Sequence, residues 1–105
     1  MVSSTEVLPG NLYGIPDEEG GYGLVKVLAV DPNGIHLRFY MNDFRELPQQ
    51  VDPENLEWFL GHTPLSKSAW QEVYEGAVFI ENVPVTEEEL EGYKYWRVEH
   101  GDYFA

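Results

Sequence analysis

Apolar and polar residues alternate along two neighbouring stretches of this chain, and the pair reads as a β-hairpin. In "GYGLVKVLAVDPNGIHLRFYMNDF", residues 21 to 44, Val25, Val27 and Ala29 share one face of a first strand. Leu37, Phe39 and Met41 share one face of a second. Between them "DPNG" has turn chemistry: Pro32 presets φ, and Gly34 tolerates left-handed backbone after a type I turn. A three-residue loop sets Asp31 opposite Ile35, so that Val25, Val27 and Ala29 face Met41, Phe39 and Leu37 as one apolar surface. The reverse face pairs Val30 with His36, Leu28 with Arg38 and Lys26 with Tyr40. That face also keeps Leu24, Leu28 and Val30, so another element has to cover part of it.

The flanking segments carry their own punctuation. "LPGNLYGI" (8 to 15) reads as an entering strand and "PDEEGG" (16 to 21) as a polar loop. In "VDPENL" (51 to 56), Asp52 as N-cap and Pro53 at the first helical position predict a single turn before a strand at "EWFL". "PLSKSAWQEVY" (64 to 74) predicts a short helix capped by Ser66, with Ala69, Trp70, Val73 and Tyr74 on one face. "AVFIENVPV" (77 to 85) predicts a strand ended by Pro84. In "VTEEELEGYKYWR" (85 to 97), Thr86 and Glu89 form a capping box and Val85 and Leu90 a hydrophobic staple. A helix from about Glu87 to about Arg97 follows, with glutamates in its first turn and Lys94 and Arg97 near its end. It tolerates Gly92 at a cost in propensity.

Strand, glycine loop, long hairpin, single turn and strand, in that order, resemble the SH3-like small barrels. Residues 10 to 57 are similar to their Tudor-type members in "LYGI", "GGYGLVKVLAVD", "LRFYMNDF" and "VDPENL". The resemblance implies a small barrel core over 10–60; with the segments predicted after it, a helix–strand–helix extension over 61–105 packed on that core, the expectation is a mainly β single domain with short helices. Tudor domains hold methylated lysine or arginine in an aromatic cage. By position, Tyr22 matches the cage tyrosine opening the second strand and Tyr40 the one ending the third. Phe44 lies one position beyond the usual third aromatic. Ile15 or Pro16 stands where the family has a first-strand aromatic, and Lys26 beside Tyr40 would repel a cationic guest. We read Tyr22, Tyr40 and Phe44 as cross-strand packing, with a cage as the alternative.

Composition narrows the chemistry. The chain has 105 residues, 43% of them hydrophobic, which suits one folded domain. With no cysteine, disulfides, thiolate zinc sites and cysteine nucleophiles are excluded. "MVSSTEVLP" lacks the basic start and apolar run of a signal peptide, and no apolar stretch approaches a membrane span, so a cytoplasmic protein is expected. Ser3, Ser4, Ser66 and Ser68 have no nucleophile-elbow context, and there is no phosphate loop or dinucleotide fingerprint. His36 reads as a half-buried strand residue and His62, in "GHTPLS", as a loop residue holding hydrogen bonds. His100 and Asp102 offer two metal ligands without a third. No catalytic residue, metal or cofactor is expected, and hence no enzyme.

Charge is the remaining signal. Six Lys and Arg against nineteen Asp and Glu give −13. From Glu46 to Glu91, eleven carboxylates face Lys67 alone. Such a field repels nucleic acid and anionic membrane and steers basic partners inward. In size and charge the chain is similar to the immunity proteins with which bacteria neutralise toxins. The expectation is an acidic module that binds a basic protein through Asp52, Glu54, Glu57, Glu87, Glu88, Glu89 and Glu91. Trp58, Phe59 or Trp70 would anchor the contact wherever exposed. Two alternatives are a Tudor-like reader of a cationic or methylated ligand, and an accessory subunit whose strand edges pair with a neighbour.

Overall fold

The computed structural model describes residues 7–32, 34–52 and 55–100. The apolar alternation produces five strands: β1 (Asn11–Pro16), β2 (Tyr22–Asp31), β3 (Gly34–Tyr40), β4 (Trp58–Ser66) and β5 (Val78–Asn82). Two helices, α1 (Lys67–Tyr74) and α2 (Glu91–His100), flank β5 in the chain. The strands form one antiparallel sheet in the order β4-β3-β2-β1-β5. β4 runs through the expected boundary at residue 60, and β5 returns from the C-terminal part of the chain to pair with β1.

The hairpin corrects the expected register. Asp31 pairs with Gly34, not Ile35, which leaves a two-residue connection, and a bulge at Leu28 shifts the register by one more residue. Val25 therefore faces Phe39 and Val27 faces Leu37. Before the bulge the two one-residue shifts add to two, so Val25 and Val27 keep their shared face with Phe39 and Leu37; beyond it Ala29 pairs with His36 and Val30 with Ile35, so Ala29 leaves the expected apolar face. Leu37 and Val27 are fully buried, and Phe39 packs half-buried beside them. Met41, expected opposite Val25, lies past the end of β3 and is exposed. Lys26 faces Arg38 instead of Tyr40.

The expected barrel is the main correction: the sheet is open, with β4 and β5 as its edges. The reason lies in where the apolar residues go. One core joins Tyr13, Val25, Val27, Ile35, Leu37 and Trp70, and a second, on the opposite face, joins Leu12, Leu24 and Tyr40. With both faces of β2 buried, the sheet is a middle layer instead of a wall curled around one interior. α1 covers the first face, its Trp70 ring edge-on to Tyr13 at 5.3 Å. The segment 41–57 covers the second face with Phe44, Val51 and Leu56. It thus covers Leu24; Leu28 is buried as well, whereas Val30 on the expected reverse face is exposed.

The helix caps form as their residues dictate. Ser66 Oγ accepts from the Ala69 N–H at 3.2 Å, so α1 starts where expected. At α2, Glu89 N–H donates to Thr86 Oγ1 (3.1 Å) and Thr86 N–H to Glu89 Oε1 (2.8 Å), which is the capping box. The first turn is tight, with Leu90 N–H shared between Thr86 and Glu87 carbonyls, and regular α-helix begins at Glu91, later than the expected Glu87. At residue 52 the Asn55 N–H donates to the Asp52 carbonyl at 2.9 Å, a single turn. Pro53, the side chains of Val73 and Tyr74, and Asp102 lie outside the described residues. His62 is a correction of another kind. It belongs to β4, not to a loop, and its ring meets that of His36 at 2.8 Å. No helix among the described residues is long and apolar enough to cross a membrane.

Candidate functional site

β-strand alternation puts Lys26, Arg38 and Tyr40 on the second face of the sheet, away from the Val25–Leu37 core. Trp58 pairs with Tyr40 at the start of β4 and therefore shares that side. The turn before α2 descends on the same surface. Together Leu12, Lys26, Arg38, Tyr40, Leu56, Trp58, Val83, Glu88 and Glu89 line a hollow of about 210 Å³.

Its floor is ionic. Lys26 is only 3% exposed, and its ammonium donates to both Glu89 carboxylate oxygens at 3.0 Å and to the Pro84 carbonyl at 3.3 Å. Arg38 approaches the same carboxylate at 3.9 Å. Burial works against the charge on Glu89, but the Thr86 N–H, Lys26 and Arg38 outweigh it and hold the carboxyl below its ordinary pKa. Tyr40 is pushed up to about 12, by burial first and by the Glu89 charge second, so its hydroxyl stays protonated.

Its rim is Trp58. That ring is 53% exposed, yet it is braced: the Arg38 guanidinium lies over it at 5.0 Å, and Gly61 backs it so closely that a Cβ there would sit 3.2 Å from the ring. Arg38 Nε donates to the Gly61 carbonyl at 3.3 Å and ties the two supports together. Next to Trp58, Asn42 clips two segments, accepting from Glu57 N–H at 2.9 Å and donating to the Asn55 carbonyl at 3.0 Å. An exposed aromatic held in one orientation loses little freedom when something binds it.

The expected carboxylates divide. Glu88 lines the hollow, and Glu57, Glu87 and Glu91 are solvent-exposed, Glu87 with Lys94 at 3.7 Å. Asp52 is exposed, and its side chain accepts from the Asn55 amide at 3.2 Å. Glu89 is half-buried and committed to Lys26, so it builds the site instead of presenting charge. Glu54 and the Phe59 side chain lie outside the described residues. Of the two other aromatic anchors, Trp58 is exposed and Trp70 is core. Tyr22 and Phe44 are joined as a backbone bridge (N···O 2.7 and 2.9 Å), and Phe44 and Tyr40 belong to one apolar cluster.

Sequence reasoning missed the Arg38–Trp58–Gly61 brace, because nothing local marks residues 38 and 58 as neighbours. It also missed an open hollow of about 780 Å³ between the 17–21 and 43–45 segments, lined by Asp17, Glu18, Glu19, Asp43, Phe44 and Arg45 among others. There Asp17 Oδ1 accepts from the Glu19 and Gly21 N–H groups, so this carboxylate serves its own loop. Among the described residues no three His, Cys, Asp or Glu side chains are grouped to hold a metal ion. Compared with protein families, curated proteins and solved structures, the chain shows no significant match.

Proposed function

We propose that this protein is a non-enzymatic docking module that binds a basic partner protein through the Trp58 site, acting as an inhibitor of the immunity-protein kind. The carrying observation is Trp58 itself, half-exposed yet fixed by Arg38 and Gly61, beside a hollow edged by Glu88. Interface energy concentrates in such aromatic anchors, and a protein of net charge −13 attracts basic partners over long range. The partner places a basic or apolar side chain against Trp58 and surrounds it with positive charge that meets Glu57, Glu88 and Glu91.

A reader of cationic or methylated side chains is less favoured on one observation: the chain's own Arg38 already lies over the Trp58 ring, and Lys26 stands behind it. The accessory-subunit reading would use the strand edges β4 and β5. The three separate experimentally. Partners captured from the native host on the full-length protein are identified, and association rates are measured across a salt series. Docking at Trp58 predicts that Trp58→Ala weakens binding about 30-fold or more, the loss of an anchor worth at least about 2 kcal/mol. Reversing Glu57, Glu88 and Glu91 to lysine should slow association and leave the melting temperature nearly unchanged. An acidic partner with a salt-independent on-rate, or one unaffected by Trp58→Ala, overturns the proposal. Loss of binding in Tyr22→Ala with retention in Trp58→Ala would favour the reader.

A further inference from the structure

Beneath α2 the sheet presents imidazoles where apolar side chains would be expected. His36, on β3, is fully buried, and its Nε2 lies 2.7 Å from Asp31 Oδ2. Its Nδ1 lies 2.8 Å from His62 Nε2 on β4, and the two rings meet edge to edge, their centroids 5.0 Å apart and their planes within 12°. Asp31 is an acceptor, so His36 gives it the Nε2 proton; His36 Nδ1 must then accept, and His62 must donate. α2 closes over the pair. The Tyr93 and Trp96 rings stand edge-on to His36 at 4.5 and 4.7 Å. Tyr93 hydroxyl donates to Asp31 Oδ1 at 3.0 Å, and Arg97 donates to that oxygen at 3.3 Å and to the Tyr93 hydroxyl at 2.8 Å. Gly92 sets the distance, because a Cβ there would come within 2.8 Å of His62 Cβ.

We propose that the His36–His62 pair is a proton-operated latch, which seats α2 on the sheet while neutral and releases it in acid. One hydrogen bond joins the rings, and it admits a neutral pair or a pair carrying one extra proton. A second proton places an N–H on both sides of a 2.8 Å gap, between two adjacent cations. Among the described residues, the charged and titratable groups facing the pair include Asp31 from β2 and Tyr93 and Arg97 from α2. Asp31 offsets one positive charge, and Arg97 adds to the repulsion. Burial disfavours protonation throughout: it draws His62 down to about 4, with His36 contributing, and it lowers His36 against the pull of Asp31. A base whose docked pKa lies below its free value of 6.5 contributes stability in full above pH 6.5 and loses it as pH falls toward 4. Release therefore belongs to that window.

The latch is independent of docking at Trp58 and is tested without a partner. Hydrogen exchange by NMR on the full chain, corrected for intrinsic rates, should show α2 amides from Tyr93 to Arg97 losing at least tenfold in protection between pH 6.5 and 4. Amides of Val25, Val27 and Leu37 should keep theirs. His62→Gln retains a donor toward His36 but takes no proton, so its α2 should stay protected across the window. Helix and strands losing protection together, or an unchanged profile in His62→Gln, overturns the latch. Should that variant not fold, the imidazole nitrogen shifts of the unsubstituted protein decide. The His62 titration must share its midpoint with the loss of α2, and rings that titrate beneath a protected helix overturn the proposal.

Discussion

Lys26 occupies the central strand with almost no exposed surface, 63 residues away in sequence from the carboxylate that neutralises it. A buried ammonium is tolerated there because Glu89 and the Pro84 carbonyl meet it directly. Removing the negative partner should therefore cost far more than the pair itself is worth. Glu89→Gln is the informative change, because glutamine still completes the capping box with Thr86 and so isolates the charge. We expect a loss of about 3 to 5 kcal/mol in urea denaturation. The double variant Lys26→Met with Glu89→Gln should recover most of that loss, since no unpaired charge is left inside. A double variant as unstable as the single one would show that the ion pair is not the reason for the loss.

At the scale of elements, α2 shows packing overriding propensity. Glycine inside a helix costs up to about 1 kcal/mol relative to alanine, so Gly92→Ala in an isolated helix would stabilise it. Here Gly92 faces the His62 Cβ, which a methyl group would approach to 2.8 Å. Gly92→Ala should instead destabilise the protein by roughly 1 to 3 kcal/mol. Thr86→Ala, which removes the acceptor for the Glu89 N–H, should cost about 0.5 to 2 kcal/mol by a purely local mechanism. Thermal melts of the two variants separate the causes. A Gly92→Ala protein more stable than the parent would mean that α2 does not sit this close to β4.

For the whole molecule, net charge and docking predict opposite responses to salt. A chain at −13 repels itself when compact, and about 8 Å of screening at physiological ionic strength relieves that repulsion. The melting temperature at pH 7 should rise as sodium chloride is added. Association with a basic partner should slow over the same range, because the field that destabilises the fold also steers the encounter. Calorimetry and association kinetics in matched buffers check both. A melting temperature that falls with salt would place the stabilising Lys26–Glu89 and Arg97–Asp31 pairs above the general repulsion.

What could be read from the sequence was local. The hairpin in residues 22 to 40, the Ser66 cap and the Thr86–Glu89 box each depend on neighbours within a few positions, and each formed, whereas β5 ends at Asn82, ahead of the expected stop at Pro84. Even the misjudged hairpin kept Val25 and Val27 on one face with Leu37 and Phe39, because a turn one residue shorter and a bulge at Leu28 together shift that part by two. The tertiary structure alone decided which surfaces meet. Whether five strands close or stay open depends on both faces of β2 being covered, by Trp70 from one side and by the 41–57 segment from the other. His36 and His62 lie 26 residues apart, and neither carries a mark that it meets the other. Trp58 reads as core by residue type and is exposed because β4 is an edge strand, with Arg38 and Gly61 bracing it there. Periodicity and capping are properties of a segment, whereas burial of a charge, closure of a sheet and exposure of a ring are properties of contacts between segments, which sequence spacing does not encode.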